Sequence, residues 1–123
     1  MEVLLDSSFI ISCVRKKIDF LVQLSEQGFK VLLPHEVFEE LKDLRKKSSL
    51  SHEDRMAIDV AMEIFEKRKV KMMRLGSGLV DEGLIRKGKD GYYIASLDGS
   101  VKHNVPRRVI IDTAGNKVMA EMS

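Results

Sequence analysis

Short apolar runs, each ending at residues that start a helix, constrain this chain more than any other feature. Val3-Leu4-Leu5 is too short and too uniformly apolar for a surface helix, and it stops at Asp6-Ser7-Ser8, residue types that cap a following helix. Val31-Leu32-Leu33 repeats the pattern: Pro34 suits a first-turn position, and Val37, Phe38, Leu41 and Leu44 follow at one-face helical spacing. Between these strands, Ile18, Leu21 and Val22 have helical spacing and Gly28 closes the run. Ser51 and Asp54 open a further helix with the stripe Ala57, Val60, Ala61, Ile64 and Phe65.

The second half continues the alternation. Val70 to Leu75 has strand character, Gly76-Ser77-Gly78 breaks it, and a short helix is predicted from about Val80 to Lys87. Strands are predicted again at Tyr92 to Ser96 and Arg108 to Ile111, with a brief helix after Asp98 and an edge hairpin open to the tail beyond Thr113. Parallel strands need crossover connections, so the expectation is an α/β fold: a three-layer α/β/α sandwich with a mainly parallel central sheet. No linker or repeat divides residues 1–123, which predicts a single domain.

Composition narrows the function classes. The net charge of +2 is the remainder of 21 basic and 19 acidic residues, so any polyanion must be held by a local patch. Cys13 is the sole cysteine and sits among apolar neighbours, which predicts a small buried thiol in a reducing compartment. The opening residues carry Glu2 and Asp6 around three apolar residues, so neither a signal sequence nor a membrane span is predicted there, and the expected location is cytoplasmic.

In an open parallel sheet, ligands bind beyond the carboxyl ends of the strands. Asp6 directly follows the first predicted strand, Asp98 follows the strand ending near Leu97, Asp81 opens a helix after the glycine turn, and Glu40 lies about two turns into the helix leaving the second strand. Singly, each aspartate suits a helix cap and Glu40 suits solvent. Together at one edge they would repel one another and raise their own pKa values, a conflict that a hard divalent cation resolves. Oxygen-only donors favour Mg²⁺ or Mn²⁺ over zinc. His35, His52 and His103 have no partners fitting a zinc-protease or nucleophile motif, and Gly76-Ser77-Gly78 lacks the lysine of a phosphate-cradling loop.

These residues resemble a family. Leu4-Leu5-Asp6-Ser7-Ser8-Phe9 resembles the opening block of PIN-domain nucleases, and Leu33 to Leu41, with Glu40, their second. Val80-Asp81-Glu82-Gly83-Leu84-Ile85 resembles the third acidic block, and Ile94 to Lys102, with Asp98, the fourth. Ser96 stands where threonine is commoner, and the stretch Arg86 to Gly91 predicts an unusually short third-block helix; Glu82 and Glu39 are the substitutes should the register shift by one. The resemblance implies that Asp6, Glu40, Asp81 and Asp98 bind Mg²⁺ or Mn²⁺ and catalyse RNA hydrolysis to 5′-phosphate and 3′-hydroxyl ends, with Ser8 and Ser96 orienting ligands or water. Among the basic clusters, Lys87, Lys102 and Arg107 are the expected phosphate contacts. Asp112 is read as a turn residue.

The blocks are closest in flavour to archaeal and eukaryotic ribosomal-RNA processing endonucleases, with a ribosome-assembly partner implied. Alternatives are a toxin ribonuclease with an antitoxin partner and a PIN fold that binds RNA or protein without cutting. Self-association, as a homodimer, is common in such relatives. A phosphoacceptor receiver domain is disfavoured, because the third strand ends Arg74-Leu75-Gly76 with no aspartate to phosphorylate.

Overall fold

A computed structural model describes residues 1–122. Strand β1 (Glu2–Leu5) leads into helices α1 (Ser7–Arg15) and α2 (Phe20–Glu26). Strand β2 (Lys30–Pro34) is followed by α3 (His35–Arg45) and α4 (His52–Lys67), then by β3 (Lys71–Met73). Helix α5 (Val80–Lys89), strand β4 (Tyr93–Ala95), the short α6 (Gly99–Lys102), and strands β5 (Arg107–Asp112) and β6 (Lys117–Met122) complete the order.

The strands form one sheet in the order β3-β2-β1-β4-β5-β6, parallel except for the final β5–β6 pair. Side chains alternate across a strand, and β1 shows the consequence. Val3 and Leu5 enter a cluster with Phe9, Ile10, Val37, Leu41, Ile58 and Phe65 from α1, α3 and α4. Leu4 enters another with Leu84, Ile94, Val101 and Val105, under α5 and α6. All three β1 residues are fully buried, so the strand is apolar on both sides because both sides are covered. Phe9, Phe20 and Phe65 stack edge-on, with ring centroids 6.1 and 6.3 Å apart, tying α1, α2 and α4 together.

Three details differ from the predicted elements. Pro34 closes β2 and caps α3 in extended conformation, φ −62° and ψ 134°, instead of occupying its first turn. Strand β3 is only three residues long. Helix α5 runs on through Gly88 to Lys89, and the reason is packing: a Cβ at Gly88 would lie 2.6 Å from Val105 Cγ1, so the glycine lets the helix press against that core. The edge hairpin does form, with Asp112 Oδ1 accepting from the backbone of Ala114 and Gly115 as a turn residue. No helix among the described residues is long and apolar enough to cross a membrane.

Candidate functional site

The strand order reverses direction between β1 and β4, and at such a point the loops beyond the carboxyl ends splay apart to leave a crevice. Asp6 follows β1 and Ser96 follows β4. The Asp6 N–H bonds the Ala95 carbonyl at 2.9 Å, carrying the pairing of these strands up to the rim.

Asp6 is 4% exposed and caps α1, its Oδ1 accepting from the Ser7 N–H at 2.8 Å. Its Oδ2 accepts from the hydroxyl of fully buried Ser96 at 2.6 Å. The Ser96 Oγ in turn accepts the Asp98 N–H at 3.1 Å. Asp98 is exposed and caps α6, its Oδ1 accepting from both the N–H and the hydroxyl of Ser100, at 3.0 and 2.9 Å. The Ser100 hydroxyl also lies 3.5 Å from Asp81 Oδ2, in the first turn of α5. On the other flank, the Ser7 hydroxyl donates to Glu40 Oε1, reaching across from α1 to α3.

A relay of hydrogen bonds therefore runs Glu40, Ser7, Asp6, Ser96, Asp98, Ser100, and Asp81 stands beside its end, near the Ser100 hydroxyl whose proton goes to Asp98. Among the described residues, Glu40 Oε2, Asp81 Oδ1 and Asp98 Oδ2 accept no hydrogen bond from the protein. Burial pushes the Asp6 carboxyl up to about 6; the hydrogen bonds from Ser96 and Ser7 oppose that rise, while the nearby charges of Glu40 and Asp81 add to it.

Ser8 does something different from Ser96: its Oγ accepts the Leu97 N–H at 3.1 Å, pinning the loop between β4 and α6. Glu36 pins the opposite loop. Its carboxylate accepts from Leu75 N–H at 3.0 Å and Gly76 N–H at 3.3 Å, and Arg86 donates to the Leu75 carbonyl at 3.0 Å, which fixes the approach to α5 and hence Asp81. Burial alone would raise the Glu36 carboxyl, but these backbone donors and nearby Arg74 hold it below the usual range. The turn that follows uses left-handed backbone at Gly76 (φ 104°) and Gly78 (φ 99°).

The three basic residues expected to contact phosphate are placed differently from the acids. Lys87 is near the far end of α5, its Nζ 5.8 Å from the centre of the Tyr92 ring, at the edge where β4 begins. Arg107 opens β5 one residue before Arg108, which pairs with Ile94, so it too lies toward the amino-terminal edge; among the described residues its NH1 is buried without a hydrogen-bond partner. Lys102 ends α6, and its carbonyl accepts from Arg108 at 2.6 Å.

No family model matches the sequence, and no curated protein matches it. In fold, the chain is similar to a PIN domain. One such solved structure is that of the PIN domain of human SMG5, with a TM-score of 0.49, 12% sequence identity, and coverage of 94% of this chain and 95% of that one.

The donor set, four carboxylates with serine hydroxyls between them, fits a hard, oxygen-seeking cation and not a soft one. Among the described residues, no three acidic, histidine or cysteine side chains stand close enough to hold one ion as they are. The relay thus gathers the acids to one rim without closing them on a common point.

Sequence reasoning named Ser8 and Ser96 but missed Ser7, Ser100 and Glu36. Ser100 had a signal, because a serine two residues after a capping aspartate often completes a local turn. Ser7 and Glu36 had none, since which of two adjacent serines faces α3 depends on the rotation of α1.

Proposed function

We propose that this chain is a divalent-metal-dependent ribonuclease that hydrolyses RNA phosphodiester bonds to 5′-phosphate and 3′-hydroxyl ends, with Asp6, Glu40, Asp81 and Asp98 as its catalytic acids. One observation carries the reading: acids from four separate stretches of chain meet at the carboxyl-end crevice, three of them bonded through Ser7 and Ser96 and the fourth, Asp81, beside Ser100. A structural account of each aspartate as a helix cap explains Asp6 Oδ1 and Asp98 Oδ1. Asp81 in the first turn of α5 suits the helix dipole, and the Ser7–Glu40 bond ties α1 to α3; what capping alone does not account for is that all four acids stand at one crevice.

The same four residues would hold Mg²⁺ or Mn²⁺. When bound, such a cation supplies Lewis-acid activation of water and offsets charge on the phosphodiester. The protein's own part is orientation. Ser7 and Ser96 hold one oxygen each of Glu40 and Asp6, so each side chain presents a fixed face to the crevice. The backbone bond from Leu97 to Ser8 keeps the Asp98 loop from swinging away.

For setting, ribosomal-RNA processing is favoured over a toxin role by the sequence of the stretch Ile94 to Val109, and an assembly-factor partner goes with it. The test is incubation of purified protein with Mn²⁺ and end-labelled single-stranded RNA, with product ends read by mass spectrometry. Cutting that disappears in both Asp6→Asn and Asp98→Asn supports the reading. Tight RNA binding with no cutting would replace it with a binding module.

A further inference from the structure

We propose that the groove along the outer face of α1, lined by Ser8, Ile11, Ser12, Arg15, Lys16 and Asp54, is a track for the phosphates of single-stranded RNA, an assignment that rests on the function proposed above. Ser8, Ser12 and Arg15 stand four and then three residues apart, which places them on one helix face over about 10 Å. The groove has a volume of about 580 Å³. One end meets the acidic rim, because Ser8 is bonded to Leu97, the residue between Ser96 and Asp98. The other end carries two cations. Arg15 is half-exposed and gives only NH1 to Asp54, at 2.9 Å, so the pair steers the guanidinium while leaving its other nitrogens to donate. Lys16 is exposed and forms no ion pair among the described residues.

The acid rim makes such an anchor necessary. Carboxylates gathered at the crevice repel a polyanion, and a chain of net charge +2 has no general field to overcome this. Cations about 10 Å along the helix can hold a flanking phosphate while leaving the strand over the rim. Hydroxyls at Ser8 and Ser12 donate to intervening oxygens, and Ile11 offers an apolar floor to a base or sugar. The expected contacts Lys87 and Arg107 lie toward the other sheet edge and cannot serve this path.

The experiment measures anisotropy of a labelled 12-nucleotide oligouridine in EDTA across a salt series, so that binding is read without cutting. Each phosphate contact to a single strand contributes a slope of about 0.7 in the log–log salt plot, which at 0.1 M salt is about fivefold in affinity. Arg15→Gln with Lys16→Gln should lower the slope by about 1.4 and weaken binding about 25-fold. Ser12→Glu, which keeps both cations but sets a carboxylate in the groove within one helical turn of them, should also weaken binding, and it decides the matter if the double variant melts early. Lys30→Gln, at the start of β2, should bind as the wild type does. Wild-type affinity and slope in both groove variants, or no binding by the wild type, overturns the track. Equal binding of duplex RNA at the same slope overturns the single-strand assignment. Groove-dependent binding without Mn²⁺-dependent cutting removes the nuclease reading and keeps the track; cutting with unaffected binding in the groove variants does the reverse.

Discussion

Replacing Asp6 by asparagine should stabilise the metal-free protein at neutral pH, although Asp6 is proposed as a catalytic acid. Its carboxyl is 4% exposed and pushed by burial from 3.8 up to about 6. Between those values the folded chain keeps a proton that the unfolded chain has lost, so stability is retained below 3.8 and falls as pH rises through about 6. At about 1.4 kcal/mol per pH unit, the gap amounts to about 3 kcal/mol of destabilisation at pH 7.5. Asparagine resembles the protonated acid and can keep both contacts, accepting from Ser7 and donating to Ser96. With an unfolding entropy of about 2.1 cal/mol/K per residue, 3 kcal/mol over 123 residues corresponds to about 12 °C. Melting followed by circular dichroism in EDTA should show Asp6→Asn above wild type by up to that amount at pH 7.5, with the gap closing near pH 4. Saturating Mn²⁺ should raise the wild-type midpoint and not the variant's, narrowing or reversing the order. A variant less stable than wild type at pH 7.5, or a gap of the same size at pH 4 and 7.5, refutes the argument that the ionised carboxylate is held there at a cost.

Other expectations separate orientation from packing. Ser7→Ala should shift stability by only about 1 kcal/mol while lowering Mn²⁺-dependent cutting about 10- to 100-fold, measured by melting and by initial rate, because it frees Glu40 without emptying the core. Gly88→Ala should destabilise by about 1–3 kcal/mol in urea titration despite alanine's better helix propensity, since its Cβ meets Val105 at 2.6 Å. Burial drives the Cys13 thiol up to about 12, so iodoacetamide at pH 8 should leave it unmodified in native protein and label it once urea unfolds the chain.

The parallel sheet was legible because its strands are apolar on both faces, and Val3-Leu4-Leu5 turns out to feed one core from each side. Asp6 and Asp98 were legible because a capping aspartate in the turn that leaves a strand has only one edge to stand on. Glu40 followed from helix phase, with Val37 and Leu41 buried beneath it. Lys87 shows the limit of reading by proximity: six residues after Asp81 along a helix is about 9 Å, and α5 carries it away from the rim. Chain neighbours become spatial neighbours in a loop but not down a helix. The length of α5 was illegible for a related reason: Gly88 weakens the helix locally, and only its seat against Val105 and Ile94 restores it.

The seam between β1 and β4 also sets an order of events. Ser96 is 90 positions beyond Asp6, and the strand that brings it there slots in beside β1 at the middle of the sheet. During synthesis the amino-terminal strands can pair among themselves, but Asp6 meets its serine only after nearly four-fifths of the chain exists. A ribosome-tethered fragment ending before Tyr93 would carry Asp6, Glu40 and Asp81 but neither Asp98 nor the β1–β4 crevice, so on the proposed function an unfinished copy would leave the RNA around it uncut.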